Sequence, residues 1–392
     1  MERAVVVEGA RTPIGRFLGS LREVPAVELG EMAAREALRR AGVEPDQVDQ
    51  TIIGHARQAG NGPNTGRQVS VRAGVPVEVS AYNVNIACGS GMKAVQLAAQ
   101  QIQLGDAEVV LAGGIESMSR VPFLLDRMRT GYRMGDAQVY DAMYRDGLLD
   151  PLCGLVMGET AENLADRYGI SRREQDELAL ESQRKAANGA AGRAAEIVPV
   201  QAPDPSGRGT TLLEQDEHPR PDTTMEGLGR LEPVFRDDGT VTAGNASGIT
   251  DGAAALVVMS ESRARAEGRE PLAAIVGMSW AGVEPDVMGL GPVPATRKVL
   301  ERTGLSLADV DVIEINEAFA AQVIACEREM KFDRDRLNLL GGGISLGHPI
   351  GMSGARLLLT LAYQLRARGG GIGLATLCIS GGQGLAVVLE RA

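Results

Sequence analysis

The chain has 392 residues, of which 44% are hydrophobic and 23% are charged, and its formal net charge is −11. These values are typical of a globular protein with two or three domains. The acidic balance argues against non-specific nucleic-acid binding, so an anionic ligand would need a local basic site or a helix N-terminus.

The N-terminus and the cysteines narrow the possible classes of protein further. Residues 4–7 read as a strand with no leader before it, and no stretch approaches the roughly 20 apolar residues of a membrane span. We therefore expect a cytoplasmic protein that does not bind membranes. Four cysteines without C-x-x-C spacing predict no metal site, and cytosolic disulfides would be unusual, so one or more of the thiols is a candidate reactive group.

The first half alternates predicted helices and strands. A helical pattern over 28–40 precedes an apolar strand over 51–54, and a further strand is predicted over 109–112. Between them, Cys88 lies at a strand-to-helix turn, just before the helix that Ser90 opens. Backbone N–H groups and the helix dipole would stabilise a thiolate there, although a small buried core cysteine is the alternative.

The pattern changes between roughly Ser119 and Ser247. This stretch contains methionine-rich segments, a long charged helix predicted over 171–185, and a loop over 202–209 that is rich in proline and glycine. We interpret it as an insertion that shapes a substrate site or an oligomer contact.

The second half repeats the first. Gly42 and Gly304 follow predicted helices and differ by 262 positions, as do Asp49 and Asp311. Two glycine-bounded strands, 109–112 and 372–375, match at an offset of 263. Duplicated strand–helix units predict an α/β protein with mostly parallel sheets, in which the loops before the two equivalent helices face each other.

Three further segments carry candidate chemistry. Asn316 follows an apolar strand and either caps the next helix or faces a ligand at the end of the sheet. His348 lies among glycines immediately before an apolar helix and is a candidate acid–base group. Cys378 ends a strand before a glycine-rich turn, where a core cysteine or close approach by a ligand is possible.

The two remaining histidines and one glycine pair do not lie in segments that suggest catalytic chemistry. We expect His55 and His218 at the surface. Gly113-Gly114 lacks the spacing of a dinucleotide fingerprint. Together, two cysteines, one histidine and one asparagine in polar or glycine-rich turns form a set suited to acyl transfer.

At this point six segments in order make the chain resemble the thiolase family along its whole length. They are Val7 to Gly15, the Cys88 segment, Thr242 to Gly248, Asn316 to Phe319, Gly347-His348-Pro349, and Cys378 with its glycines. The resemblance implies a thiolase-like fold in which two duplicated α/β halves pack as an αβαβα sandwich with an inserted loop domain. It implies an N-terminal half over 1–118 plus about 248–270, the insertion over 119–247 and a C-terminal half over 271–392.

The resemblance also implies a ping-pong reaction on coenzyme A thioesters. Cys88 would become acylated while His348 takes its proton, and Cys378 would deprotonate the second acetyl-CoA. His348 and a water held by Asn316 would stabilise the enolate, and the N–H groups of Cys88 and Ser380 would hold the tetrahedral oxyanion. Coenzyme A and acyl-CoA would be substrates, with no cofactor bound permanently, and the assembly would be a homodimer or homotetramer.

The family's coenzyme A site maps onto eight positions: Leu148, Met157, Arg220, Phe235, Ala243, Ser247, Ala318 and Phe319. The chain departs from the family pattern at Ser380, where glycine is usual, and at Val156, where many acetyl-specific members carry histidine. A longer-chain degradative 3-ketoacyl-CoA thiolase therefore stays open as an alternative. A decarboxylating ketoacyl synthase fits less well, because the chain has a second cysteine, Cys378, and just one histidine in a suitable setting. A non-catalytic lipid- or acyl-CoA-binding relative also fits less well, because all four reactive side chains are present.

Overall fold

The structure is a computed structural model that describes residues 2–204 and 209–391, so half of the loop predicted over 202–209 lies outside the described residues. Its strands are β1 (Ala4–Arg11), β2 (Gly15–Arg16), β3 (Gln50–His55), β4 (Ser80–Val84), β5 (Val109–Ser117), β6 (Phe123–Leu124), β7 (Tyr140–Asp141), β8 (Val200–Pro203), β9 (Thr210–Leu213), β10 (Thr250–Ser260), β11 (Ala273–Gly282), β12 (Val312–Ile315), β13 (Gly371–Ile379) and β14 (Gln383–Arg391).

The helices are α1 (Ala26–Ala41), α2 (Thr65–Arg72), α3 (Ser90–Leu104), α4 (Met157–Tyr168), α5 (Arg172–Asn188), α6 (Ala190–Ala194), α7 (Met225–Gly229), α8 (Glu261–Ala266), α9 (Pro292–Thr303), α10 (Ala320–Met330), α11 (Gly343–Leu346) and α12 (Ile350–Arg368). A π-helical turn spans Tyr144–Leu148. Among the described helices, none is long and apolar enough to cross a membrane.

Helices α3 and α12 form the central layer of the molecule. Their apolar side chains, such as Met92 and Leu358, share one core with Leu256 of the first half-sheet and Leu377 of the second. Helix α12 is buried on every face from Ile350 to Leu365, as expected for a helix with sheets on both sides.

The outer layers cover the opposite faces of the two half-sheets. Helix α1 packs through Leu29 against β10, in a core that also contains Val257. On the other side, α9 and α10 pack through Val299 and Val323 against β12 and β14. The order helix, sheet, helix, sheet, helix confirms the predicted αβαβα sandwich.

The strand order in the main sheet is β12-β13-β14-β11-β1-β10-β5-β3-β4, with β2 beside β10. Parallel pairing is confined to β12 with β13 and β3 with β4 and β5. The expectation of mostly parallel sheets was therefore wrong. Each half ends in strands that return antiparallel, because a short turn such as that between β13 and β14 can only join antiparallel neighbours.

The predicted duplication extends to individual hydrogen bonds. Asp49 exchanges two bonds with Val109: its N–H donates to the carbonyl (2.9 Å) and its carboxylate accepts from the N–H (2.8 Å). Asp311 makes the same pair with Ile372, at 2.8 and 2.9 Å. Equivalent aspartates thus hold equivalent strands in the two halves.

A buried ion-pair cluster ties the stretch between residues 119 and 247 to the first strand. Arg11, at the end of β1, contacts Glu196 through Nε and Asp216 through Nη1, both at 2.7 Å. Arg193 adds a contact to Asp216 at 3.2 Å. The neighbouring guanidinium groups, Arg11 first, hold the pKa of Asp216 at about 2 against the effect of its burial. Removing one partner would leave a charge buried without compensation.

Close glycine contacts bring the two central helices together at their first turns. A Cβ at Gly91 would lie 2.8 Å from the nitrogen of Ala355, and one at Gly354 would lie 2.4 Å from the nitrogen of Met92. Helix α12 begins at Ile350, two residues after His348, so His348 does lie immediately before it, as the sequence predicted.

Replacing Gly354 with alanine should lower the free energy of unfolding by about 2–3 kcal/mol, because backbone atoms of α3 occupy the space of the added methyl group. Gly229→Ala is the matched control: a methyl group there meets no neighbouring atom and should leave stability unchanged or raise it by up to about 1 kcal/mol. Urea denaturation measures both. Equal effects of the two substitutions would contradict the close-packing interpretation.

Candidate active site

A cavity of about 590 Å³ lies where the two halves and the inserted stretch meet. Cys88 enters it from the first half, and His348, Cys378 and Ser380 enter from the second. The predicted reactive side chains therefore converge, although they come from segments far apart in the chain. Among the described residues, no group of histidine, cysteine, aspartate or glutamate side chains is arranged to hold a metal ion.

Cys88 lies in a tight turn between β4 and α3, as the sequence predicted. The residue before it, Ala87, has a φ of +45°, a left-handed conformation that is uncommon for a residue with a side chain. The hydroxyl of Ser90 fixes this bend by donating to the Ala87 carbonyl (2.7 Å) and accepting from the Ile86 N–H (3.0 Å). Cys88 is consequently half-buried, with its side chain at the cavity wall.

His348 sits two residues before α12, in a loop whose course depends on glycine. Gly347 has a φ of +96°, and a Cβ there would lie 2.3 Å from the side chain of Thr250. The His348 N–H donates to the carbonyl of Gly248 at 3.0 Å. The imidazole is 8% exposed, and that small exposed part faces the cavity.

The hydrogen bonds of His348 define its tautomer. Nδ1 lies 2.5 Å from the hydroxyl of Ser353, which itself donates to the Pro349 carbonyl at 2.9 Å. Because the hydroxyl hydrogen is used on Pro349, Ser353 accepts from Nδ1–H, and Nε2 carries no proton. Burial, aided by the guanidinium groups of Arg356 and Arg57, lowers the pKa of His348 to about 3. The imidazole is a neutral proton acceptor at Nε2.

Asn316 contacts this acceptor rather than capping a helix. Helix α10 begins only at Ala320, so the capping alternative is wrong. Asn316 Nδ2 lies 3.4 Å from His348 Nε2, a long contact. Its Oδ1 is buried and has no hydrogen-bond partner among the described residues, which leaves one acceptor beside the imidazole.

Cys378 ends β13, and the turn after it reaches across to Cys88. Cys378 is 1% exposed. The left-handed backbone of the turn falls on Gly381 (φ +85°) and Gly382 (φ +78°), and Ser380 does not adopt a positive φ. The serine found where the family usually has glycine is therefore unstrained.

Both reactive thiols are neutral at rest. Burial raises the pKa of Cys88, opposed by the Arg57 guanidinium and by the nearby backbone N–H groups of Ser380 and Cys88 itself. Burial also raises the pKa of Cys378 well above its ordinary value, and the nearby thiols of Cys88 and Cys326 add to the effect. Desolvation thus outweighs the stabilisation of a Cys88 thiolate that the helix start predicted.

Seven of the eight predicted coenzyme A positions line the cavity: Leu148, Met157, Phe235, Ala243, Ser247, Ala318 and Phe319. The rings of Phe235 and Phe319 meet edge to face, with centroids 6.2 Å apart. Arg220 is exposed and lies outside the cavity lining. Val156, where many acetyl-specific members carry histidine, is part of the wall.

The expectation that His55 lies at the surface was wrong. It is fully buried, with Nδ1 3.0 Å from the Thr65 hydroxyl and Nε2 3.3 Å from Glu116. Glu116 also accepts from the N–H of Gly351 (2.9 Å), just after His348. The sequence offered no signal for this pair, because its partners lie far apart in the chain.

His218 is half-buried rather than exposed, and it supports the His348 loop. Its Nδ1 lies 3.0 Å from the carbonyl of Ser345. Its ring also fills the space where Gly248 would carry a Cβ. Sequence analysis missed this contact, as it missed Ser353, whose position in the first turn after His348 was the available signal.

Comparison with known proteins agrees with this geometry. Residues 4–262 match the family described as thiolase, N-terminal domain, and residues 269–391 match thiolase, C-terminal domain. The chain belongs to the thiolase family.

Individual relatives cover the whole chain. The acetyl-CoA acetyltransferase of Escherichia coli is 52% identical over 394 residues, with 100% of both chains covered. The crystal structure of the Bacillus anthracis acetyl-CoA acetyltransferase has a TM-score of 0.97 and 47% identity, covering 100% of this chain and 99% of its own. That of human mitochondrial 3-ketoacyl-CoA thiolase has a TM-score of 0.96 and 42% identity, with the same coverage.

The cysteines should react with iodoacetamide in a defined order as pH rises. Cys88 should be labelled first among the shifted thiols, because it is only half-buried. Cys378 should follow, and Cys326, whose pKa burial raises to about 12, should stay unlabelled while the protein is folded. Peptide mass spectrometry reads each site, with the half-buried Cys153 as internal reference. Half-maximal labelling of Cys88 below the ordinary thiol pKa of about 8.5 would contradict a neutral resting thiol.

The His348 imidazole should remain neutral in NMR titrations down to about pH 4, because its folded-state pKa is about 3. Unfolded histidine titrates near pH 6.5. Between these values the unfolded chain binds the extra proton, so the contribution of His348 to stability is complete above about pH 6.5 and is lost as pH falls. His348→Asn assigns the signal. A titration midpoint near 6.5 would show that the imidazole is not desolvated.

Proposed function

We propose that this chain catalyses the reversible Claisen condensation of two acetyl-CoA molecules to acetoacetyl-CoA and coenzyme A, which in reverse is thiolysis of a 3-ketoacyl-CoA. The observation that carries the proposal is the convergence of Cys88, His348 and Cys378 on one cavity in a thiolase chain. The relatives named acetyl-CoA acetyltransferase support acetyl-CoA as the substrate. The reaction uses coenzyme A thioesters as substrates and requires no resident cofactor.

In the first half-reaction, Cys88 attacks the thioester carbonyl. Its proton moves to Nε2 of His348, the nitrogen that the Ser353 hydrogen bond leaves free. Collapse of the tetrahedral intermediate expels the coenzyme A thiolate, which takes the proton from His348 and leaves an acetyl group on Cys88. The N–H groups of Cys88 and Ser380, which lie near the sulfur and favour negative charge there, hold the oxyanion. Removing one such donor typically costs roughly 10²–10³-fold in rate.

In the second half-reaction, Cys378 acts as the base. Its thiol proton first moves to Nε2 of His348, and the Cys378 thiolate then removes a proton from the α-carbon of the second acetyl-CoA. The carbanion attacks the acetyl group on Cys88, and the Cys88 thiolate expelled when the tetrahedral intermediate collapses takes the proton back from His348. The protonated Nε2 of His348 and a water bound at the unpartnered Asn316 Oδ1 donate hydrogen bonds to the enolate oxygen and stabilise it. The two cysteines thus serve successive steps in one cavity.

The rest of the cavity wall fits a pantetheine arm. The seven lining residues carried over from the family are mostly apolar, as ligand pockets usually are. Arg220 stands outside the cavity, where it can meet the phosphates of the nucleotide end of coenzyme A. This arrangement supplies local positive charge on an acidic protein.

Three further properties belong to the same proposal. The chain divides into a half over 1–118 plus about 248–270, an insertion over 119–247 and a half over 271–392. The insertion binds coenzyme A and contributes to a homodimer or homotetramer. The protein acts in the cytoplasm.

The direct test is coenzyme-A-dependent cleavage of acetoacetyl-CoA and, in parallel, of 3-ketohexanoyl-CoA, followed by loss of the 3-ketoacyl absorbance. We expect acetoacetyl-CoA to be the better substrate. Turnover of neither would overturn the proposed activity, and preference for the longer substrate would favour the degradative alternative.

Two variants separate the roles of the cysteines. Cys88→Ala should lose turnover by roughly 10⁴-fold or more and take up no acetyl group. Cys378→Ala should also lose turnover but should still accumulate acetyl on Cys88, detected by mass spectrometry. Cys153→Ala, which removes a cysteine outside the cavity lining, serves as the control and should keep full activity. Intact thiolysis in both active-site variants would show that the mechanism is wrong.

A further inference from the structure

Asp150 is a buried carboxylate that the proposed reaction does not use. It is 2% exposed and lies in the loop between the π-helical turn and α4. Its Oδ1 accepts from the N–H of Leu152 (2.9 Å), and its Oδ2 accepts from the N–H of Gly381 (2.8 Å). Among the described residues it has no cationic partner, so two backbone N–H groups are what stabilise its charge.

Backbone hydrogen bonds close the loop that carries Asp150. The Asp150 N–H donates to the carbonyl of Leu155, and the Asp150 carbonyl accepts from the N–H of Gly154, both at 2.8 Å. An antiparallel bridge between Leu149 and Val156 closes its base. Asp150 is therefore a fixed anchor on the inserted stretch rather than a mobile side chain.

The turn that Asp150 holds has little conformational preference of its own. It joins β13 to β14 through Ser380, Gly381 and Gly382, and both glycines have positive φ. Glycine populates left- and right-handed conformations almost equally, so consecutive glycines leave the peptide planes free to rotate. The remaining external anchor in the described structure is the Val283 N–H, which donates to the Gly382 carbonyl at 2.7 Å.

We propose that Asp150 is a positioning residue: by holding the Gly381 N–H, it fixes the turn so that the Ser380 N–H keeps its place beside Cys88 in the cavity. The proposal rests on the proposed function, in which that N–H also holds the oxyanion. A carboxylate suits this task because both of its oxygens accept and neither donates. An amide would place an NH₂ group against one of the two backbone N–H groups.

The test compares Asp150→Asn with Asp311→Asn. Asp311 is a matched control because its carboxylate likewise accepts from a backbone N–H. That N–H belongs to Ile372 in β13, at the opposite end of the strand from Cys378. Acetoacetyl-CoA thiolysis gives kcat and KM, the pH dependence of iodoacetamide labelling reports the Cys88 thiol, and thermal melting reports stability.

We expect Asp150→Asn to lower kcat by about tenfold or more with KM changed by less than about threefold, since small misplacement of a catalytic group costs up to roughly 10²-fold. The labelling midpoint of Cys88 should move to higher pH, because the thiolate loses the Ser380 N–H. Asp311→Asn should lower the melting temperature but leave kcat and the labelling midpoint at wild-type values.

Wild-type kcat and labelling in Asp150→Asn would overturn the positioning role, as would equal losses of activity in the two variants. Failure of the wild-type protein to cleave either substrate would instead count against the proposed function. The labelling comparison would still decide what Asp150 does, because it needs no turnover.

Discussion

The backbone contact between α3 and α12 decides where the reactive loops can lie. Cys88 and His348 each stand two residues before the first residue of one of these helices. Because Gly91 and Gly354 let the first turns touch, the thiol and the imidazole line the same cavity. A glycine also lets the chain after His348 pack closely against the sheet, since a Cβ at Gly114 in β5 would lie 2.1 Å from the carbonyl oxygen of Gly351.

Buried carboxylates hold the glycine-rich loops that this contact brings together. Glu116 accepts from the N–H of Gly351, Asp150 from that of Gly381, and Glu317 from that of Ile344 (3.1 Å). Glycine loops have no side chains with which to fix themselves, and their buried N–H groups must be paired. Each carboxylate comes from a distant segment of the chain, so loop geometry depends on the complete fold.

This dependence explains what the sequence could predict. Local signals located Cys88 and His348 in turns and Cys378 at the end of a strand, and the repeat at 262–263 positions correctly paired the two halves. Partners distant in the chain left no local signal: the burial of His55 against Glu116 and the contact of Asp150 with Gly381 arise only on folding. The prediction of mostly parallel sheets was wrong for a similar reason. The direction of neighbouring strands depends on how the chain connects them, and the periodicity of the sequence does not encode those connections.

The electrostatics of the cavity keep the two thiols and His348 neutral at rest, so that charges form on them only during the reaction. Burial raises the pKa of both thiols and lowers that of His348, so a Cys88 thiolate paired with a His348 imidazolium is not the resting state. The guanidinium groups of Arg57 and Arg356 oppose a positive imidazole, and Arg356 remains fixed by Glu314 at 3.1 Å. An imidazolium formed when Cys88 attacks is therefore unstable in place and returns its proton to the departing thiolate. Burial, aided by these two cations, thus makes His348 a proton shuttle, which a reversible reaction between two thioesters requires.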